Sequence, residues 1–432
     1  MTRTMVPAVF AVLLAFSCCA ADWPHWRGPA RNDVVTETSG WNGDAWPRGE
    51  LWSADVGEGS TSPLVVAGRV YTMGWRGDHD HVVCLDANSG KTLWSRQYPC
   101  PQYGRQAMGD QGIYSGPSST PEFDADTGLL YTLSTDGDLH CWSTRQQGAL
   151  VWSTNLYDSF RIPRRPKVGR SGWRDYGYTS SPLVWKEWLI VEVGAVDEGN
   201  LVAFDKLTGA RRWTSESRSP AGHNGGPVPI RVEGVPCVAV HNHDGLLVAR
   251  LDPGHAGQTV ATQPWETSFA NNIATVTVHG NCVLLTSAYN QYRMARYDIS
   301  LAGAEKVWEQ EYPSKVCSPV VAGGYIYWAW KSVNCLDFET GKQQWRGGDV
   351  GDPGSVIVTG DDRLIVWADR GDLFLVETAV RSPRSYTQLA RSAVLDRADA
   401  WPHVVLANGR MYCKDRDGRL RCLQIAAQAA GD

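Results

Sequence analysis

The chain has 432 residues, 43% of them hydrophobic and 20% charged, with a formal net charge of −5 at pH 7. That composition excludes a disordered chain and leaves ample apolar material for one large all-β domain or a few smaller ones. The mild acidity gives no electrostatic case for nucleic acid as the main partner, and 44 Gly and 23 Pro without a short period exclude a collagen-like rod.

Residues 4–21 carry no charge, with Arg3 before them and Asp22 after. An apolar centre, VFAVLLAF over residues 9–16, is followed by the small residues Ser17 to Ala21. This predicts an export signal over residues 1–21, too short for a comfortable membrane span. Two processing routes fit. Leu14-Ala15-Phe16-Ser17-Cys18 resembles a bacterial lipobox, which would put a lipid on Cys18; Cys19-Ala20-Ala21 suits plain cleavage before Asp22. Residues 22–50 read as an N-terminal extension, 51–425 as the folded domain and 426–432 as a tail.

The strongest signal along the domain is a repeat. VVCLDANSGKTLW (82–94), LVAFDKLTGARRW (201–213) and VNCLDFETGKQQW (333–345) each run from an apolar strand to Asp, then Ser/Thr-Gly, then Trp eight residues after the Asp. Asp86, Asp205 and Asp337 can accept from backbone N–H groups and start a turn. Gly90, Gly209 and Gly341 can supply positive φ, and the Trp sits on the next strand. Degenerate copies end at Trp152, Trp265 and Trp308. A second mark opens each unit: Ser62-Pro63, Thr120-Pro121, Ser181-Pro182, Gly226-Pro227, Ser318-Pro319 and Pro353-Gly354, with weaker versions at Asn272-Ile273 and Pro402-His403. Eight openings over residues 51–425 make about 47 residues per unit, room for four short strands and their loops. The expected fold is an all-β, eight-bladed β-propeller of four-stranded antiparallel blades. Seven blades is the alternative, because the unit from Gly354 lacks the Asp-to-Trp pattern. The last unit stops after its third strand, while Leu51-Trp52-Ser53 is an orphan strand. The N-terminal strand is therefore expected to complete the last blade and close the ring.

These residues resemble the PQQ-type propeller repeat, AxDxxTGKxxW, of the quinoprotein-like superfamily. The resemblance implies that Trp94, Trp152, Trp213, Trp265, Trp308 and Trp345, with Trp52 at the closure, wedge between neighbouring blades. The segment DWPHWRGPARNDVV (22–35) looks like the leader of exported, planctomycete-type bacterial propellers described as BamB-like. The implied setting is the periplasm or cell envelope.

Long connections are expected on one face of such a ring, at 95–116 and 153–179, and long loops carry most binding. RIPRRPKVGRSGWR (161–174) has six basic and no acidic residues. Arg161, Arg164, Arg165 and Arg170, with Trp173, Tyr176 and Tyr178 beside them, form a candidate face for an acidic partner; the ordinary alternative is a solvated loop paired to nearby carboxylates. The pairs His79/His81 and His241/His243 could each offer two imidazoles to a metal, but hairpin polar residues explain them as well, and no metal is expected. Of 11 cysteines, Cys18 and Cys19 lie in the signal. Cys84, Cys141, Cys335 and Cys422 recur at one place in the repeat and read as core filler; Cys100, on a loop, is the candidate for a disulfide.

No nucleophile elbow, P-loop or HExxH motif is present. The reading is a non-catalytic, exported, monomeric scaffold for envelope proteins or a polyanion, without cofactor. The resemblance also implies an alternative, a dehydrogenase using PQQ with calcium. Such enzymes carry vicinal cysteines over the cofactor, and the adjacent pair here, Cys18-Cys19, lies in the signal. A carbohydrate-binding or carbohydrate-processing propeller is a third reading.

Overall fold

A computed structural model describes residues 21–101, 116–163, 176–265, 267, 271–352, 354–368, 370–396 and 399–425. Cys18, Arg164, Arg165, Arg170, Trp173 and the tail 426–432 lie outside them. Strands dominate; the helices among the described residues are a single turn, Leu156–Ser159, and the 3-10 turn Thr144–Gln146. None is long and apolar enough to cross a membrane.

Eight antiparallel sheets follow one another around a ring. Blade one has the strands Leu64–Val66, Arg69–Arg76, His79–Asp86 and Thr92–Pro99. Blades two to seven span 122–155, 183–214, 228–264, 277–310, 320–351 and 354–393. In blade six the 13-residue strand Tyr325–Asp337 takes φ 61° at Lys331. Its first part pairs with Val320–Ala322 and its second with Gln343–Gly351, so one strand serves as two. Blade eight is Val405–Ala407, Arg410–Lys414 and Arg419–Gln424, completed by Gly49–Asp55 in the register Trp52 to Cys422 and Asp55 to Arg419. Eight blades form and the N-terminal strand closes the ring, which leaves blade eight no unpaired third strand.

Two devices join the blades. The first is the repeat tryptophan. On each outer strand a bulge falls just before this position, so that Leu51, Leu93, Val151 and Val307 project outward and the next residue turns in. The Trp lies on the repeat glycine of the following blade: a Cβ at Gly90 would come within 2.5 Å of Trp52, at Gly209 within 2.8 Å of Trp152, and at Gly341 within 2.7 Å of Trp308. Its indole N–H donates to the carbonyl after the repeat Asp, Trp52 to Ala87 at 2.9 Å, Trp152 to Lys206 at 3.1 Å and Trp308 to Phe338 at 3.1 Å. The turn is shaped to receive it. Asp86 Oδ1 accepts from Asn88 and Ser89 N–H, Asp205 from Leu207 and Thr208, and Asp337 from Thr340, while Gly90, Gly209 and Gly341 hold φ near 70°.

Trp94 packs likewise on Gly148 and Trp345 against Tyr386, both in the next blade, while Trp213 is half-buried against Trp188 of its own blade. Trp265 also meets the next blade, but from a different strand position. It lies past the end of Thr259–Pro264, and the position after the bulge is Ala261. Trp265 instead donates from its indole to Ser287 Oγ at 3.1 Å. Blade seven also has Ala390 there, which is why its unit lacks the motif.

The second device explains the Ser/Thr-Pro mark. Ser62 N–H donates to Thr120 Oγ1, Thr120 N–H to Ser181 Oγ, Thr275 N–H to Ser318 Oγ and His403 N–H to Ser62 Oγ. The following Pro has no N–H to offer the ladder, and the hydroxyl before it reaches sideways to the neighbouring blade. Ser355 Oγ accepts from Val404 in the same belt.

All nine cysteines from Cys84 to Cys422 are buried and outside any disulfide. Cys100 makes no bridge; its thiol donates to Asp136 Oδ2 at 3.1 Å. Burial pushes the thiols of Cys84, Cys141 and Cys422 up to about 12.

Candidate functional site

The segment read as a plain N-terminal extension lies on the axis of the ring. Trp23 and Val65 exchange backbone hydrogen bonds at 2.7 and 3.0 Å, Phe123 N–H donates to Pro24 O at 3.2 Å, and Val35 N–H donates to Val358 O at 2.9 Å. Residues 22–39 thereby bond to the innermost strands of blades one, two and seven, and their side chains reach blades five, six and eight. Asp22 Oδ2 accepts from Ala67 N–H, and Glu37 from Asn408 and Gly409 N–H, at the short-turn face. Trp26 and Arg27 sit at the opposite end, beside the Ser/Thr-Pro belt.

Buried ion pairs hold this loop. Arg27 and Asp33 pair with each other inside it; Arg27 also donates to Pro319 O at 2.7 Å and Thr277 Oγ1 at 3.3 Å, and His403 Nε2 lies 3.2 Å from Asp33 Oδ1. Burial raises the Asp33 carboxyl, but Arg27 and His403 outweigh it and hold the group below its usual value. Glu122, on the first strand of blade two, pairs with Arg31 and with His25 at 3.1 Å and accepts from Val184 N–H of blade three at 2.9 Å. Burial again opposes ionisation, and Arg31 first, then His25 beside it, bring the carboxyl down to about 2. The signal for this role was present in WPHWRGPARND: two Trp and four ionisable residues around a Gly-Pro are unusual in a linker.

Above the loop, at the belt, a pocket of about 120 Å3 opens among described residues of the connections between blades. Trp26 lines it together with Ser60, Ser118, Tyr176, Thr179, His223, Asn224, Gly225, Asn271, Ile273, Tyr289, Val316 and Trp401. Thr275 Oγ1 accepts from the Trp26 indole at 3.1 Å, and Gly225 gives the ring room, since a Cβ there would fall 2.7 Å from its nitrogen. Asn224 is fully engaged: its amide donates to Glu192 and His241 O, and its Oδ1 accepts from Gly226 N–H. Asn271, 5% exposed, has a buried Oδ1 without a hydrogen-bond partner.

The sequence-derived candidates divide around this pocket. Tyr176 lines it, 5.0 Å from His223 in an edge contact. Tyr178 is a core residue, 1% exposed, donating to Val193 O at 3.0 Å and packed on Tyr157, so it offers no binding surface. Arg161 is exposed, at φ 55°. The histidine pairs stand apart. His79 and His81 share one side of a strand, half-buried, with His79 Nδ1 at 2.8 Å from Gly77 O and burial lowering His81. His241 is buried and driven down to about 4 by that burial, while His243 pairs with Asp244 at 2.8 Å. Among the described residues no three His, Cys, Asp or Glu are grouped to hold a metal ion.

PQQ is a polycarboxylate that needs cations around it, and calcium needs carboxylate oxygens. The described lining of the pocket supplies neither a Lys or Arg nor an Asp or Glu. The described residues there do not fit PQQ with calcium.

A ring of eight four-stranded blades, locked by tryptophan on glycine from blade to blade, defines a PQQ-type repeat β-propeller. The sequence model of the family described as outer membrane protein assembly factor BamB matches residues 78–347, more than half of the chain, and the chain belongs to that family. No curated protein matches it in sequence. Among solved structures it is similar to BamB from Moraxella catarrhalis, at 13% identity and TM-score 0.59, over 87% of this chain and 99% of that one. It is also similar to quinohemoprotein alcohol dehydrogenase from Comamonas testosteroni, at 13% identity and TM-score 0.62, over 95% and 81%. The computationally designed Ika8 protein aligns at 10% identity and TM-score 0.57, over 87% and 99%. At these identities the likeness is one of fold.

Proposed function

We propose that the chain is an exported, non-catalytic scaffold of the cell envelope that binds protein partners, with an acidic partner or polyanion docking at the basic insertion from Arg161 to Arg174. The observation that carries this reading is the family match to the outer membrane protein assembly factor BamB over residues 78–347. The pocket at the axis supports it by its chemistry, because a lining without charged side chains among the described residues suits neither a polycarboxylate quinone nor its calcium. Export rests on the signal-like residues 1–21, and a lipid on Cys18 would tether the ring to a membrane.

The test is chemical cross-linking of the mature chain in envelope extract, run beside an assay of dye-linked alcohol oxidation after adding PQQ and calcium. The scaffold reading expects specific envelope proteins in the cross-linked fraction at low salt and no alcohol oxidation. Oxidation that requires added PQQ and calcium would overturn it in favour of the dehydrogenase.

A further inference from the structure

The axis changes character along its length. Beside the N-terminal loop, Arg27, Asp33, Arg31 and Glu122 are charged groups paired among themselves, with His403 against Asp33. At the mouth, the pocket is lined by four aromatic rings and uncharged polar groups. The rings come from four separate elements: Trp26 from the axial loop, Tyr176 from the connection into blade three, Tyr289 from the second-to-third turn of blade five, and Trp401 from the connection into blade eight. Each of the four is half-buried, so part of every ring faces the space. Beside them stands Asn271, nearly inaccessible and with an acceptor oxygen that no protein group satisfies.

We propose that this pocket binds a neutral pyranose, as the terminal sugar or a short segment of an uncharged glycan. Three ligand chemistries can be compared on the residues present. An anion would be stripped of water against a described lining that offers no Lys or Arg, an uncompensated loss. A purely apolar ligand would take water from the Ser60 and Ser118 hydroxyls and give no partner back, at about 1–3 kcal/mol for a group left so. A pyranose answers both demands: its C–H faces lie on aromatic rings, gaining burial and weak C–H contacts with the π face. Its hydroxyl rim both donates and accepts, so it can pair with the Ser60 and Ser118 hydroxyls. The pocket also has a rigid floor. Trp26 is fixed by Thr275 below and by the buried Arg27–Asp33–His403 cluster next to it in the chain, so little ordering entropy remains to be lost on binding.

The experiment uses the whole mature chain. Saturation-transfer NMR is run with methyl glucoside, cellobiose, maltose and di-N-acetylchitobiose at millimolar concentration, with glucuronate as the anionic control and an aromatic dipeptide as the non-sugar control. Titration calorimetry follows on any that respond. The expected result is transfer to the ring C–H protons of at least one neutral saccharide, weakened about tenfold or more by Tyr176→Ala and by Tyr289→Ala. Both tyrosines are half-buried at the pocket wall, and thermal melts of the two variants should stay close to the parent. Any one of three results overturns the proposal: no transfer to any neutral saccharide, tighter binding of glucuronate or the dipeptide than of the sugars, or sugar binding that neither variant weakens. None of these touches the cross-linking outcome, so failure here leaves the scaffold reading standing.

Discussion

Replacing Glu122 by Gln tests whether the axial loop is held by charge or merely rests in the channel. The Glu122 side chain is 1% exposed, bonded to Arg31 and His25 of the loop and to the backbone of blade three. Its pKa falls from 4.5 to about 2 in the folded ring. A difference of that size corresponds to about 3 kcal/mol of stability at neutral pH. The sign follows from the direction. A carboxyl depressed by folding stabilises at pH values above its unfolded pKa of 4.5, and this is lost as pH falls from 4.5 toward 2. Glu122→Gln keeps the shape and an acceptor for Val184 N–H but leaves Arg31, 12% exposed, without its counter-charge. The expected loss is about 3–5 kcal/mol at pH 7, read as a lower denaturant midpoint. At pH 3 the gap between parent and variant should shrink by roughly 2 kcal/mol, because the unfolded parent is by then protonated while the folded one still ionises. Equal midpoints at pH 7, or a gap that does not narrow on acidification, would refute the argument.

Other consequences can be checked beside it. Deleting residues 22–56 removes both the axial loop and the outer strand of blade eight; the product should lose most of its stability and aggregate through the exposed strand edge, and a cooperative melt within a few degrees of the parent would contradict this. Trp345→Ala, at a buried wedge, should cost about 3–5 kcal/mol in a denaturant melt, and Trp213→Ala clearly less, since that ring is only half-buried. Gly209→Ala should destabilise although it adds one methyl, because φ is +73° and the new Cβ meets Trp152 at 2.8 Å. Reversing Arg164 and Arg165 to Glu should weaken capture of an acidic partner at low salt, with the loss fading as salt rises; unchanged recovery at low salt would sink the basic-insertion reading.

Much of the ring was legible because its information is local and repeated. Asp86, Gly90 and Trp94 stand in a spacing that recurs at Asp205 and Asp337, and each residue answers a need within a few positions of itself: a side-chain acceptor for turn amides, a positive φ, an apolar ring for the next interface. The orphan strand at Trp52 and the truncated last unit were enough to anticipate closure. The unit from Gly354, which lacks the motif, still forms a blade because Ala390 stands where the Trp would be and strand pairing does not require the wedge. At Trp265 thirteen residues rather than eight separate the Asp from the Trp, and the ring meets blade five from beyond the strand end. The bulge register puts Ala261 at the position that the other repeat Trp residues hold.

Other features depend on partners far away in the chain. Arg27 meets Val276 and Pro319 about 250 to 290 residues later, Arg31 meets Glu122, and Asp33 meets His403. No spacing encodes such contacts. They exist because the ring brings the inner strands of all its blades to one axis, where a single loop can touch most of them. The same holds for the pocket, whose residues run from Trp26 to Trp401, and for the fate of two neighbouring tyrosines in one loop: Tyr176 lines the pocket and Tyr178 packs into the core. The sequence by itself determined the repeating unit and where the ring would close, and left the count between eight and seven, since those follow from short-range turn and strand chemistry. Only the tertiary structure decided what fills the axis and which side chains face the space at its mouth, since closing eight blades in a circle makes neighbours of residues that the chain keeps hundreds of positions apart.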